Sequence, residues 1–210
     1  MNARLQAPVI YLITKGDATA ANFYETSRDI LAIVRQAVEE KISLIQIREK
    51  QLSAKLFFEL TAAAVMVTTG SVTRLLVNDR ADIAIAAKAD GVHLAAKSLP
   101  VGVIRKNFSK DFIIGVSTHS FDAIVSAYEQ GADFAVFGPV FATPGKGEPA
   151  GLERLSDVCE RVKPFSVLGL GGIDVDNCES VIAAGACGIA AIRSLNEPES
   201  LTAIARKFIK

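Results

Sequence analysis

The chain has 210 residues, with 23 Lys+Arg against 23 Asp+Glu for zero formal net charge, and half of its residues are hydrophobic. That balance suits a globular domain with a large core; it excludes a disordered tail and argues against a general nucleic-acid binder, which needs a basic surplus. No apolar run approaches the ~18–20 residues that cross a bilayer, and the run at 9–13 is too short for a secretory leader's core. No membrane association and a cytoplasmic location are therefore expected, with Cys159, Cys178 and Cys187 as buried, reduced thiols.

Taken in chain order, short apolar runs alternate with helical patterns. Residues 9–13 (VIYLI) form a continuous apolar run of strand length. Ile30, Ile33, Val34, Ala37 and Val38 then follow the i, i+3, i+4 spacing of one helix face. The run 44–47 predicts a second strand, and Ser53 stands where the next helix should begin. Phe57, Leu60, Thr61, Ala64 and Val65 make that helix's stripe. Strands follow at 74–77, 91–94 and 112–115, with a short helix at 81–87 between the first two. Ser120 opens another helix and Gly131 closes it. Strands at 134–137, 165–168 and 188–191 complete the series, with Asp174 as a helix start, Gly185 as a stop, and Leu201, Ile204, Ala205 and Phe208 as the last stripe.

Strands that are apolar on both faces belong to a parallel sheet covered by helices. Eight strand–helix units of about 25 residues predict one α/β domain over 1–210, closed as a (β/α)8 TIM barrel; a doubly wound open sheet is the alternative. The segments Lys88-Ala-Asp-Gly, Gly131-Ala-Asp-Phe and Gly185-Ala-Cys-Gly echo one another where a helix hands over to a strand.

In such a barrel the C-terminal strand ends carry the chemistry. Those ends hold Gln46, Arg48 and Lys50, then Asn78 and Asp79, then Ser117 and His119. They also hold Thr143 and Lys146, the Gly169-Leu-Gly-Gly172 stretch, and Ile192 with Arg193. Arg48, Lys50, Lys146 and Arg193 on one rim of a neutral protein predict an anionic small ligand, most simply a phosphate. Gly171 and Gly172 before a helix suit close backbone approach to that phosphate, or simply a turn that needs positive φ. Gln46, Arg48 and Lys50 alternate at period two and so face the same way. Asp79 could hold Mg²⁺, cap the helix at 81–87 or pair with Arg80. His93, inside an apolar strand, reads as packing; His119, after a strand, is the candidate for acid–base work. The Gly- and Pro-rich residues 141–151 read as a lid carrying Lys146.

These motifs resemble the thiamine phosphate synthase family and its relatives, the thiazole tautomerases. The matching residues are Gln46-Ile-Arg48-Glu-Lys50, Val77-Asn78-Asp79-Arg80, Asp90-Gly-Val-His-Leu94, Gly115-Val-Ser117-Thr-His119, Gly138-Pro139-Val-Phe-Ala-Thr143, Lys146, Gly171-Gly172-Ile173 and Gly185-Ala186. The resemblance implies an enzyme that joins a hydroxymethylpyrimidine diphosphate to a thiazole phosphate and releases pyrophosphate. It implies that Gln46, Arg48, Lys50 and Asn78 hold the pyrimidine diphosphate, Asp79 holds Mg²⁺, and Lys146 grips the leaving pyrophosphate. Ser117 would lie near the reacting pyrimidine, and Thr143, Gly172, Ile192 and Arg193 would hold the thiazole phosphate. A homodimer is also implied.

Three positions depart from the family pattern. Ser98, with Lys97 beside it, stands where a second magnesium carboxylate is expected. Thr143-Pro-Gly-Lys146 lacks a second hydroxyl, and Arg193 stands where the synthases place a serine. These changes leave two alternatives: a metal-independent thiazole tautomerase with His119 moving the proton, or a non-catalytic barrel that binds a thiamine precursor.

Overall fold

The computed structural model describes residues 8–209; residues 1–7, on which part of the leader argument rests, lie outside them. Eight parallel strands close into a barrel in sequence order: β1 (Val9–Ile13), β2 (Leu44–Ile47), β3 (Arg74–Asn78), β4 (Gly91–Leu94), β5 (Ile113–Thr118), β6 (Phe134–Phe137), β7 (Ser166–Leu170) and β8 (Gly188–Ala191). Around them lie α1 (Phe23–Glu39), α2 (Ala54–Thr68), α3 (Ala81–Ala87), α4 (Val101–Asn107), α5 (Phe121–Glu129), α6 (Gly151–Arg161), α7 (Cys178–Ala183) and α8 (Pro198–Phe208). The fold is the (β/α)8 barrel that the alternation predicts. Among the described residues no helix is long and apolar enough to cross a membrane.

Each strand sends alternate side chains to two cores. Ile10, Leu12, Ile45, Leu75, Val77, Val92 and Ile114 point outward and join the helix stripes in one large shell. Val9, Tyr11, Ile13, Leu44, Leu76, Ile113, Phe134, Val136, Leu168 and Ala190 fill the barrel interior. That filling makes the lower barrel a packed core and leaves space only at the C-terminal end.

Three strands run further than their apolar residues suggest. β3 takes in Asn78, which pairs with His93 of β4. β5 continues through Ser117 and Thr118, because these pair with Val136 and Phe137 of β6. β7 continues to Leu170, opposite Ala190. Polar or glycine residues at a strand end look like loop in one dimension, but the neighbouring strand keeps their backbone paired.

The echoed segments share one construction. Lys88, Gly131 and Gly185 each take a left-handed conformation, with φ of 61°, 91° and 94°. The next amide reaches back into the preceding helix, from Ala89, Ala132 and Ala186 to the carbonyls of Ala84, Ala127 and Val181. The residue after that pairs its amide with the preceding strand, and Asp90 and Asp133 add a carboxylate bond to the amides of Leu75 and Ile114, each at 2.8 Å. Lys41 (φ 56°), Ile42 and Ser43 repeat the design after α1, with the Ser43 hydroxyl accepting from the Ile10 amide.

Ser53 and Ser120 cap α2 and α5 as expected. Asp174 does not cap a helix. Its carboxylate accepts from the Asp176 and Asn177 amides at 3.0 and 3.2 Å, which builds a turn, and α7 starts at Cys178. Asp79 does not cap α3 either, and Arg80 pairs with Asp82 instead. All three cysteines are free; Cys159 and Cys178 are buried, whereas Cys187 is only half-buried at a helix-to-strand handover. Burial pushes the Cys159 thiol up to about 12, so it is inert.

Candidate active site

The open end of the barrel holds a cavity of about 650 Å³. Gln46, Arg48, Lys50, Asn78, Ser117, His119, Thr143, Lys146, Gly172, Ile192 and Arg193 all line it. Every predicted binding and catalytic residue therefore lines one space, and its size suits a small molecule. The predicted metal ligand, Asp79, is not in the lining; it sits just behind Asn78 at the end of β3.

The floor is the topmost interior layer of the barrel. Gln46 registers with Ile13 and Leu76, Asn78 with His93, and Ser117 with Val136, so these polar groups adjoin the last residues of the apolar filling and line the cavity with them. Gln46 is fully buried and donates through Nε2 to the Tyr11 hydroxyl at 2.7 Å, which leaves its Oε1 for a ligand. Burial pushes the Tyr11 phenol far up, so it stays neutral. His93 lies between Tyr11 and Phe134, with its Nε2 2.9 Å from the Ser117 Oγ. The packing role expected for His93 is thus incomplete: it also lines the cavity and contacts a predicted catalytic hydroxyl.

Above the floor stand the cations. Arg48 is half-buried, whereas Lys50, Lys146 and Arg193 are exposed. None of the four belongs to an ion pair among the described residues, although surface pairs such as Lys207–Glu179 are common elsewhere. Four unpartnered cations around one cavity create a positive potential that selects multiply charged anions. The wall also carries a carboxylate that the sequence reading missed: Glu197, paired at 3.1 Å with Lys15 across the mouth.

Arg48 is placed by a neighbour that sequence reasoning also missed. Glu49 points to the opposite side of the strand end and is 1% exposed. Its carboxylate accepts from the Thr14 hydroxyl at 2.6 Å and from the Gly16 and Ala18 amides at 3.2 and 2.9 Å. The same Thr14 oxygen accepts from the Arg48 amide at 2.8 Å, which ties the loop after β1 to the loop after β2. Burial raises the Glu49 carboxyl above its ordinary range, opposed by those three donors. The only sequence signal was an acidic residue between two basic ones, which reads as simple charge balance.

Gly171 and Gly172 have positive φ, 104° and 63°. A Cβ on Gly172 would come within 2.7 Å of the Ala142 carbonyl oxygen, and one on Gly171 within 2.7 Å of the Pro139 Cα. Their first role is to let the turn after β7 lie against the loop after β6. That loop has a pinned neck: the Ala150 and Gly151 amides bind the Pro139 and Val140 carbonyls. Residues 144–149 are exposed beyond it and carry Lys146. His119 is exposed at the rim, with its Nδ1 2.7 Å from the Gly138 carbonyl. A carbonyl only accepts, so Nδ1 carries a proton and Nε2 is the nitrogen left to exchange one.

Asp79, in a left-handed conformation with φ 59°, accepts from the Ala95 amide and the Ser98 hydroxyl on Oδ1 and from the Asn78 amide on Oδ2. The side chain at the missing carboxylate position is thus bound directly to Asp79, which gathers hard oxygen donors at one point. No cluster of three or more His, Cys, Asp or Glu suited to a metal occurs among the described residues. Mg²⁺ commonly takes one or two carboxylates and completes its shell with water and substrate phosphate, so this donor set fits it.

Known proteins are similar to this chain both in sequence and in fold. The model of the family described as Thiamine monophosphate synthase matches residues 10–195. A thiamine-phosphate synthase of Moorella thermoacetica is 39% identical over 86% of this chain and 87% of its own length. One of Clostridium novyi is 36% identical over 89% of each. Among solved structures, the thiamine phosphate pyrophosphorylase from Pyrococcus furiosus superimposes with a TM-score of 0.81 at 30% identity, covering 97% of this chain and 95% of that one.

Proposed function

We propose, from the premise that this chain belongs to the thiamine monophosphate synthase family, how its own residues divide the work of that reaction. The protein is a thiamine-phosphate synthase-type transferase of thiamine biosynthesis. The observation that carries the assignment of residues is the convergence of four unpaired cations with the family's polar residues on one cavity.

Gln46 and Asn78 hold the pyrimidine of the diphosphate substrate, and Arg48 and Lys50 hold its phosphates. Thr143, Gly172, Ile192 and Arg193 seat the thiazole phosphate on the opposite wall. The bond between the pyrimidine methylene and the diphosphate oxygen breaks first, with its electron pair leaving on pyrophosphate. The thiazole nitrogen then donates its lone pair to the methylene carbon. Lys146, brought in by closure of the 141–151 loop, stabilises the departing charge together with Arg48 and Lys50. Ser117 lies beside the reacting carbon, and His119 stands at the rim as a proton carrier. Asp79 and the Ser98 hydroxyl would hold Mg²⁺ against the diphosphate, where the ion would neutralise leaving-group charge.

The tautomerase and silent-barrel alternatives are not favoured, since the matching relatives are named as synthases. A homodimer and a cytoplasmic location are proposed on the resemblance, the former to be checked by sedimentation at two concentrations. The deciding experiment incubates pure protein with hydroxymethylpyrimidine diphosphate, thiazole phosphate and Mg²⁺. Thiamine phosphate and pyrophosphate in equal amounts are expected; none above background at high enzyme concentration overturns the proposal.

A further inference from the structure

We infer that His93 is a positioning residue that holds Ser117 with its hydroxyl proton turned toward the bound pyrimidine diphosphate. The inference rests on the placement of Ser117 beside that substrate.

His93 is 2% exposed, and its Nε2 lies 2.9 Å from the Ser117 Oγ. Its other ring nitrogen, Nδ1, is buried without a hydrogen-bond partner. The ring is held on its sides by Tyr11 and Phe134, at centroid distances of 5.6 and 6.0 Å. Below Nδ1 the chain places Gly115, where a Cβ would stand only 2.8 Å from that nitrogen. The imidazole therefore has one polar contact, and its position is fixed by shape.

Two neutral arrangements are possible. With the proton on Nδ1, an N–H donor would be buried with no acceptor, and Ser117 would spend its own proton on Nε2. With the proton on Nε2, the ring donates to Ser117 Oγ and only a lone pair at Nδ1 goes unmatched. Buried donors without partners are rarer than under-satisfied acceptors, which selects the second arrangement. Ser117 makes no other side-chain hydrogen bond among the described residues, and it lines the cavity. Accepting from His93 fixes its oxygen and leaves its proton for a lone pair on the substrate.

The test is a double-mutant cycle on kcat with the purified enzyme. His93→Phe keeps the ring's bulk and removes the donor; Ser117→Ala removes the hydroxyl. Each is expected to lower kcat by roughly 10–100-fold, with KM for the pyrimidine diphosphate changing far less. The double variant should be no slower than the slower single variant, and His93→Gln, which offers an amide N–H, should recover most of the rate. Additive losses, or full turnover by His93→Phe, would overturn the inference. Nitrogen-15 NMR of the wild-type imidazole provides a reading independent of turnover: a proton on Nδ1 refutes the assigned hydrogen-bond direction even if every variant misfolds. A wild-type protein that makes no thiamine phosphate removes the functional reading and this inference together, whereas an active enzyme with an additive cycle removes the inference alone.

Discussion

Glu49 and Arg48 are adjacent in sequence and opposite in task. Arg48 faces the cavity, while Glu49 turns away and binds three donors of the loop after β1. Glu49→Ala leaves a buried hydroxyl and two amides without their acceptor, a loss of about 2–4 kcal/mol. Loosening the Thr14 link to the Arg48 amide should also raise KM for the diphosphate substrate several-fold. Urea denaturation and steady-state kinetics check the two effects separately. His93 sets a pH dependence in the metal-free protein. Burial pushes its imidazole down to about 4, with the Asp79 charge opposing and the Arg48 charge assisting. Between the unfolded value near 6.5 and about 4, the unfolded chain binds the proton and the folded chain does not. Stability is therefore fully present above pH 6.5 and falls by about 3 kcal/mol on acidification to pH 4. The difference between wild type and His93→Gln in denaturation midpoint should shrink across that window; a constant difference refutes the assignment.

At the scale of elements, the helix-to-strand handovers hold the barrel's closed lower end. Lys41 and Lys88 occupy left-handed positions that Gly131 and Gly185 fill in the other two copies. Lys41→Gly and Lys88→Gly should each relieve up to about 1 kcal/mol of backbone strain, a rise in Tm of roughly 2–4 °C, measurable by calorimetry. Arg105 ties α4 to the start of β6. Its guanidinium binds Asp133 at 2.7 Å and the carbonyls of Gly131 and Phe112. Arg105→Ala should cost about 2–3 kcal/mol, because the half-buried guanidinium and its bonds to the Asp133 carboxylate and to two carbonyls are lost together. The repeat itself is visible in the sequence at 88–91, 131–134 and 185–188. Its fourth copy, Lys41-Ile42-Ser43, is not, because isoleucine replaces the alanine common to the other three and serine does the bridging that aspartate does in two of them.

For the molecule as a whole, zero net charge conceals a strong local field. With no carboxylate partners for Arg48, Lys50, Lys146 and Arg193 among the described residues, capture of the diphosphate substrate should weaken as salt rises. kcat/KM measured from low to high ionic strength should fall, and Lys50→Gln should flatten that slope while lowering its starting point. Pyrophosphate with Mg²⁺ should raise the melting temperature, since a ligand at 100 times its Kd adds about 2.7 kcal/mol. Asp79→Asn should abolish the Mg²⁺-dependent part of that rise and leave the metal-free part.

What the sequence by itself determined was the repeating architecture and the chemical character of one rim. Burial on both faces demands continuous apolar strands, and the polar residues at and just beyond their ends, such as Gln46 in β2 and Arg48 and Lys50 after it, mark the rim without reference to any neighbour. Only the tertiary structure decided which residues meet. The Asp79–Ser98 contact, the His93–Ser117 bond, the anchoring of Thr14, Gly16 and Ala18 by Glu49, and the Lys15–Glu197 pair all join separate strand–helix units. Those contacts depend on inter-strand register and on loops packed across the barrel mouth, and no local spacing encodes either one.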